Sequence, residues 1–109
     1  MTGCKAVILL YRSAELTHAE FADWWLGEHA PLAATLPGLR RAVFNLVDEP
    51  GAGDPDGVSE LWFGSRDEFA AAYATDIGQA VVADTLAHVS QRRRVFVDEH
   101  TVFGSAGER

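Results

Sequence analysis

The chain has 109 residues, of which 48% are apolar, and 16 acidic side chains outnumber nine Lys and Arg to give a formal net charge of −7. This length is typical of one domain, and the acidity argues against a nucleic-acid partner or an anionic membrane surface, since both select for surplus Lys and Arg. The single cysteine, Cys4, excludes an internal disulfide. Because we find neither a signal-peptide pattern nor an apolar run of membrane-spanning length, we expect a cytoplasmic protein without membrane contact.

Runs of apolar residues bounded by turn signals predict four strands, with helical regions after the first and the third. The resulting order, β-α-β-β-α-β with the second helix split, is that of a ferredoxin-like α+β sandwich with a four-stranded antiparallel sheet. One domain accounts for residues 1–103, and we expect residues 104–109 to form a disordered tail. The predicted strands span residues 4–12, 39–48, 58–64 and 93–103.

The first predicted helix has an unusual local sequence. Thr17 and Glu20 have the spacing of a capping box at its start. Pro31 lacks the N–H that would bond to the carbonyl of Gly27, so the helix should kink or break between these residues, close to His29. The caps predicted for the later helices are Ser65 and Asp76.

Each predicted strand is apolar on both faces, whereas the helices of one chain can cover only one face of the sheet. A bare apolar face in water is destabilising by about 25 cal/mol per Å². A second copy packed against that face would remove this penalty, so we expect a back-to-back homodimer, a dimeric α+β barrel. The alternative is a monomer that binds a hydrophobic ligand on the open face.

A few polar side chains interrupt this apolar background and are candidates for a functional site. His29 lies on the apolar stripe of the first helix, where an imidazole could act as general base or acid. Asn45 and Glu60 would face each other across a hairpin centred near residue 52, and Asp98 and His100 would alternate with apolar residues on the last strand. The alternative for each is a structural polar group satisfied by hydrogen bonds. The predicted catalytic residues are His29, His100 and Glu60, and the predicted substrate-binding residues are Tyr11, Trp25, Asn45 and Trp62.

Metal and nucleotide motifs are absent from the sequence. Neither a His-Glu-x-x-His nor a Cys-x-x-Cys pattern occurs, and no Gly-rich phosphate loop follows a strand, so we predict neither a bound metal nor a bound cofactor. The basic run 92–94 is interpreted as a solvated entry to the last strand, with a phosphate or carboxylate clamp as the alternative.

Several blocks of sequence share the pattern of a known family: WWLGEHAPL from residue 24, LPGLRR from residue 36, DGVSELWF from residue 56 and DEHTV from residue 98. Together they resemble the EthD-like family of the dimeric α+β barrel superfamily. The resemblance implies a dimeric barrel with His29 as the best candidate for proton transfer, and it fixes no reaction. Members are associated with oxidoreductase activity, and similar barrels include isomerases, cyclases, dehydratases and cofactor-free monooxygenases. Ala42 stands where many relatives have Tyr, which argues against a mechanism assisted by a Tyr at that position.

These observations leave three functions open. The first is an enzyme without bound cofactor that isomerises, cyclises, dehydrates or oxidises an aromatic or polyketide-like substrate through proton transfer by His29. The second is a non-catalytic binding or accessory protein that holds a small hydrophobic molecule for an oxidative degradation system. The third, a haem- or metal-binding barrel, fits the residues least.

Overall fold

The computed structural model describes residues 3–104 of the chain. Its strands are β1 (Cys4–Arg12), β2 (Arg41–Leu46), β3 (Gly57–Phe63) and β4 (Val89–Val97), and its helices are α1 (His18–Trp24), α2 (Ala30–Ala33), α3 (Arg66–Ala74) and α4 (Asp76–His88). The strands form one antiparallel sheet in the order β2-β3-β1-β4. This arrangement confirms the predicted ferredoxin-like α+β fold. None of the helices in the described part of the chain is long and apolar enough to cross a membrane.

The largest difference from the predicted elements is in the last strand. β4 begins directly after α4 and ends at Val97, so Asp98 and His100 follow it in a loop and do not alternate with apolar residues on a strand, as predicted. The reason is the length of the neighbouring strand: Val97 pairs with Lys5, and β1 begins only one residue before that. Beyond Val97 the backbone has no strand to pair with. Of the predicted tail, residues 104–109, all but Gly104 lie outside the described residues.

The start and the break of the first helical region follow the prediction. The Thr17 hydroxyl accepts a hydrogen bond from the Glu20 N–H, and the Glu20 carboxylate accepts one from the Thr17 N–H. The predicted break is a π-helical segment, Trp25–His29, that joins α1 to α2. In it the N–H of Ala30 donates to the carbonyl of Trp25, five residues back. Such segments accommodate one extra residue in a helix and often position functional side chains.

The cap of α4 differs from the prediction by one residue. Thr75 is the N-cap, because its hydroxyl accepts a hydrogen bond of 3.0 Å from the N–H of Gly78, and Asp76 is the first helical residue. The acidic side chain of Asp76 still lies in the first turn, where it interacts favourably with the helix dipole. The predicted cap of α3, Ser65, is confirmed by its hydrogen bond to the N–H of Glu68.

The two faces of the sheet have different surroundings. Residues that alternate along each strand point to opposite faces, and the helices pack over the face that carries Ala6, Leu10, Leu61 and Phe63, all of them buried. The opposite face, here called the open face, is uncovered within one copy, and Val95 on it is 47% exposed. Its apolar residues are Val7, Leu9, Tyr11, Val43, Val58, Trp62, Val95 and Val97.

Candidate functional site

A cavity of about 40 Å³ lies between the sheet and the helices. This volume accommodates a few water molecules, since one water needs roughly 10–15 Å³ of such space. The walls are largely apolar, with Trp25 and Phe44 among them, and His29 and Thr85 supply polar groups. A second cavity of about 180 Å³ adjoins the first, because Ile8, Tyr73, Val82 and Arg92 line both.

His29 is the central titratable residue of this cavity. It ends the π-helical segment and is only 4% exposed. Its Nδ1 lies 2.8 Å from Oδ2 of Asp84, and its Nε2 lies 3.3 Å from the hydroxyl oxygen of Thr85. An ionised carboxylate can only accept hydrogen bonds, so the neutral imidazole carries its proton on Nδ1 and leaves Nε2 as an acceptor. The ring is therefore oriented as in a catalytic carboxylate–histidine pair.

Asp84, which holds His29, was not among the predicted site residues. Its carboxylate also accepts from the indole N–H of Trp24, with 3.2 Å to each oxygen. Trp24 in turn stacks on His88 with ring centroids 4.2 Å apart. The signal available in the sequence was an acidic residue in the stretch AVVADTLA of α4, which is apolar apart from Asp84 and Thr85. Because Asp84 and His29 are distant in sequence, only the packing of α4 against the π-helical segment brings them together.

Trp25 forms one wall of the cavity and contains an unsatisfied donor. The side chain is fully buried and stacks on Phe44, with ring centroids 4.5 Å apart. Its Nε1 is the buried side-chain polar atom that has no hydrogen-bond partner among the described residues. A buried N–H without an acceptor is destabilising. Gly57 allows the ring to approach, because a Cβ at that position would lie 2.5 Å from two of its carbons.

Asn45 and Glu60 lie on the open face, away from His29. They share one face of the sheet, as predicted, but they are diagonal neighbours because Val58 is the direct partner of Asn45. The side-chain amide of Asn45 donates to Glu60 over 2.9 Å, and the ammonium group of Lys5 lies 2.8 Å from the same carboxylate. These hydrogen bonds, from Lys5 first and Asn45 second, lower the pKa of Glu60 below its usual value, although partial burial opposes them.

The remaining predicted residues also lie away from the cavity. Trp62 is on the open face between two cations, with Lys5 at 4.7 Å and Arg41 at 4.5 Å from its ring. His100 lies in the loop after β4 and lines an open groove of about 520 Å³ together with Trp62. Tyr11 is on the open face near the other end of β1.

The sheet therefore divides the predicted site within one copy. His29 and Trp25 lie on the helix-covered side, whereas Tyr11, Asn45, Glu60 and Trp62 lie on the open face, and His100 lies beside it. The structure does not bring these residues together, and the roles of those outside the cavity stay predictions. Within residues 3–104 no three His, Cys, Asp or Glu side chains are grouped so that they could hold a metal ion.

Solved structures with a similar fold cover most of the chain. An ethyl tert-butyl ether D (EthD) family protein from Bacillus halodurans C-125 matches with a TM-score of 0.76 and 20% identity over 91% of this chain and 100% of that one. A dimeric ferredoxin-like protein of unknown function from Thermobifida fusca YX matches with a TM-score of 0.69 and 20% identity over 87% and 89%. SnoaB, a cofactor-independent oxygenase from Streptomyces nogalater, matches with a TM-score of 0.73 and 15% identity over 96% and 100%. At these identities the likeness shows the fold.

The comparison of sequences gives the family. No protein of curated function matches the chain significantly. The model of the EthD domain matches residues 13–99, which include the π-helical segment, the hairpin of β2 and β3, and all of α4. This match covers most of the chain and agrees with the resemblance found in the sequence blocks. The chain therefore belongs to the EthD domain family.

Proposed function

We propose that this chain is a small-molecule enzyme that works without a bound cofactor and transfers a proton through His29. The observation that carries the proposal is that His29 lines the cavity and is held there by Asp84 behind it. Asp84 fixes the tautomer in which Nε2 can accept a proton, and a histidine is suited to this exchange near neutral pH. Asp84 acts as a positioning residue, because it contacts His29 and not the cavity.

Thr85 lets the site satisfy both protonation states of His29. Its hydroxyl oxygen lies 3.3 Å from Nε2 and 3.1 Å from the carbonyl oxygen of Val81. When Nε2 is unprotonated, the hydroxyl can donate to it. When Nε2 has taken a proton from a substrate, the new N–H can donate to the hydroxyl oxygen, whose own hydrogen then bonds to Val81. Neither state leaves a buried donor without a partner, so both protonation states are compatible with the site.

The walls favour a flat substrate whose reacting edge enters the cavity of about 40 Å³ beside His29 and whose remainder lies in the adjoining cavity of about 180 Å³. Trp25 and Phe44 are stacked rings at one side of the cavity, and the Trp25 N–H is available to an oxygen of the ligand. An aromatic or polyketide-like molecule has both a flat apolar surface and acidic C–H or O–H groups. Isomerisation, cyclisation, dehydration and cofactor-free oxidation of such a molecule all begin with loss of a proton. SnoaB, of similar fold, is a cofactor-independent oxygenase, which supports chemistry of this kind.

A second candidate function is binding without catalysis, as an accessory protein of an oxidative degradation system. Two observations favour it: His29 is almost fully buried, and both of its ring nitrogens already have protein partners. In this case His29 would be a structural residue that joins the π-helical segment to α4.

We also propose that the chain works as a homodimer in which the open faces of two sheets pack together. The apolar surface of the open face supports this assembly, and the protein from Thermobifida fusca, of similar fold, is dimeric. Sedimentation equilibrium at micromolar concentration should give twice the mass of one chain, which is 11.8 kDa. A mass of one chain under these conditions would contradict the proposal.

The enzyme and binding functions can be separated with three variants. Wild-type protein is first tested by mass spectrometry against a panel of phenols, lactones and polyketide-like diketones. We then expect His29→Asn to lower kcat by about 10²–10⁴-fold, the usual contribution of a general base, and Asp84→Asn to lower kcat less and to change its pH profile. His100→Asn, which changes a histidine outside the cavity, should retain activity within about twofold.

Two results would contradict the proposal that this chain is an enzyme that transfers a proton through His29. One is activity that survives His29→Asn but is lost in His100→Asn, which would move the chemistry to the open groove. The other is binding of panel compounds by wild type and His29→Asn alike with no turnover by either, which would favour the accessory function.

A further inference from the structure

We propose that Arg92 and Arg94 form an anion-binding site at the outer end of the His29 cavity, and that the ligand of this cavity is a flat organic carboxylate. That this ligand is the substrate rests on the function proposed above. The binding site itself rests only on the arginines and on the cavity that they line.

The register of β4 places both arginines on the helix-covered side. Arg92 pairs with Leu10 and Arg94 with Ile8, and these two β1 residues face the helices. Arg93, between them, pairs with Leu9 and belongs to the open face. The basic run is therefore divided by the alternation of the strand, with two charges on the cavity side and one on the other.

Arg92 connects the two adjoining cavities. It lines the inner cavity together with His29 and Trp25, and it lines the outer cavity of about 180 Å³ together with Arg94. Tyr73 also lines both. A ligand whose anionic group is bound by the arginines would therefore extend along Tyr73 toward His29.

The charges of this pair are not balanced by the protein. Among residues 3–104, neither Arg92 nor Arg94 forms an ion pair with a carboxylate, although the chain contains 16 Asp and Glu against nine Lys and Arg. Like charges side by side on one face of a sheet repel each other. An anionic ligand would remove this repulsion, and guanidinium groups bind carboxylates with two parallel hydrogen bonds.

The exposed guanidinium group of Arg94 lies close to two aromatic rings. Its guanidinium carbon lies 5.4 Å from the ring centroid of Phe69 and 5.0 Å from that of Phe96. Stacking of this kind restrains the side chain without using its N–H donors. The donors of Arg94 therefore remain available for a ligand.

Tyr73 adds a neutral donor between the arginines and His29. Burial raises the pKa of its phenol, although the positive charges of Arg92 and Arg94 oppose that effect, and all three side chains line the outer cavity. The phenol is protonated at neutral pH, so it can donate a hydrogen bond to an anion held by the arginines. An arginine pair and a phenol at the mouth of an apolar cavity are suited to a carboxylate on a flat ring.

The test compares two fluorescent probes of the same shape, 6-hydroxy-2-naphthoate and its neutral amide 6-hydroxy-2-naphthamide. We expect wild-type protein to bind the carboxylate at least about tenfold more tightly than the amide, with a preference that weakens as the salt concentration rises. Arg92→Gln should reduce the ratio of the two dissociation constants to near one, and Arg94→Gln should reduce it by a smaller factor. Arg93→Gln removes the same charge from the opposite face and should keep the wild-type ratio.

Three results would overturn the anion site: equal binding of both probes by wild type, no binding of either probe at millimolar concentration, or an Arg93→Gln variant that loses as much preference as Arg92→Gln. His29→Asn distinguishes this proposal from the proposed function. If that variant keeps the preference for the carboxylate while Arg92→Gln loses it, the anion site stands whether or not the protein proves to be an enzyme.

Discussion

Each side of the sheet has one polar cluster in apolar surroundings. The two clusters differ in whether other parts of the same chain cover them. On the helix-covered face, Asp84 joins His29 to Trp24, and all three lie within one copy. On the open face, Glu60 accepts hydrogen bonds from Asn45 and Lys5, but no layer of the same chain covers them. The helices of one chain thus cover the first cluster, whereas the homodimer proposed above would cover the second.

Under the functions proposed above, this difference separates chemistry from assembly. A proton donor or acceptor is most effective where bulk water is kept away, and His29 is buried under the helices without help from a second copy. The open face has an apolar surface with an ion pair at its centre, which suits a specific packing of two sheets. Perturbing the open face should therefore change the assembly first, and perturbing the covered face should change the stability of the fold and the cavity.

The largest expected effect follows from placing a charge at the centre of the open face. Leu9 is half-buried on β1 and points to that face. In a back-to-back dimer, Leu9→Glu would place a carboxylate from each copy in the interface, with Arg93 of the same copy as its cross-strand neighbour, and removing such charges from water is unfavourable by several kcal/mol. We expect the Kd of the dimer, measured by sedimentation equilibrium, to rise by at least about a thousandfold.

Leu86→Glu is the matched control, because Leu86 lies on α4 and is 57% exposed. It should sediment as the wild type does. If Leu9→Glu also kept the wild-type mass, the open face would not be the interface.

The next effect concerns the covered face, where Gly57 allows Trp25 to form the cavity wall. A Cβ at Gly57 would lie 2.5 Å from two ring carbons of Trp25, so Gly57→Ala should displace the indole and lower the free energy of unfolding by about 1–3 kcal/mol. Gly27→Ala is the matched control, since nothing lies within 4 Å of its Cβ position. It should leave stability unchanged or raise it by up to about 1 kcal/mol, because Ala favours helix.

Urea unfolding followed by tryptophan fluorescence at a fixed protein concentration measures both glycine variants. Equal stability of Gly57→Ala and the wild type would show that the wall can adjust, and the close packing of Trp25 would then not define the cavity.

The sequence was sufficient for the fold because the fold depends on local signals. The capping box of Thr17 and Glu20, the break at Pro31 and the apolar runs each act over a few residues, and the structure contains all three. The predicted end of the last strand, residue 103, was wrong. The true end of β4 depends on where β1 begins, and that pairing joins distant parts of the chain.

The candidate site was harder to predict for the same reason. His29 is a polar residue on an apolar stripe, which is visible in the sequence, but its partner Asp84 is brought to it only by the packing of α4. Asn45 and Glu60 were predicted to share a face, and they do, because strand alternation is local. The sequence did not show whether this face is the open one or the one covered by helices, because that depends on how the helices pack on the sheet. The separation of Asn45 and Glu60 from His29 could therefore not be predicted.

The smallest expected effect is the acid sensitivity of the open face. The pKa of Glu60 is lowered in the folded state by hydrogen bonds from Lys5 and Asn45. A carboxyl group whose pKa is lower in the folded state stabilises the protein at pH values above its unfolded pKa, which is near 4.5. That stabilisation is lost as the pH falls through the pKa of the folded state.

Glu60→Gln should therefore lower the free energy of unfolding by about 1 kcal/mol at pH 7. The difference should shrink toward zero as the pH is lowered below about 4.5. Glu15→Gln, at an exposed turn, should show no such difference in urea unfolding at either pH. A Glu60→Gln deficit that persisted unchanged in acid would mean that the side chain acts through its shape and not through its charge.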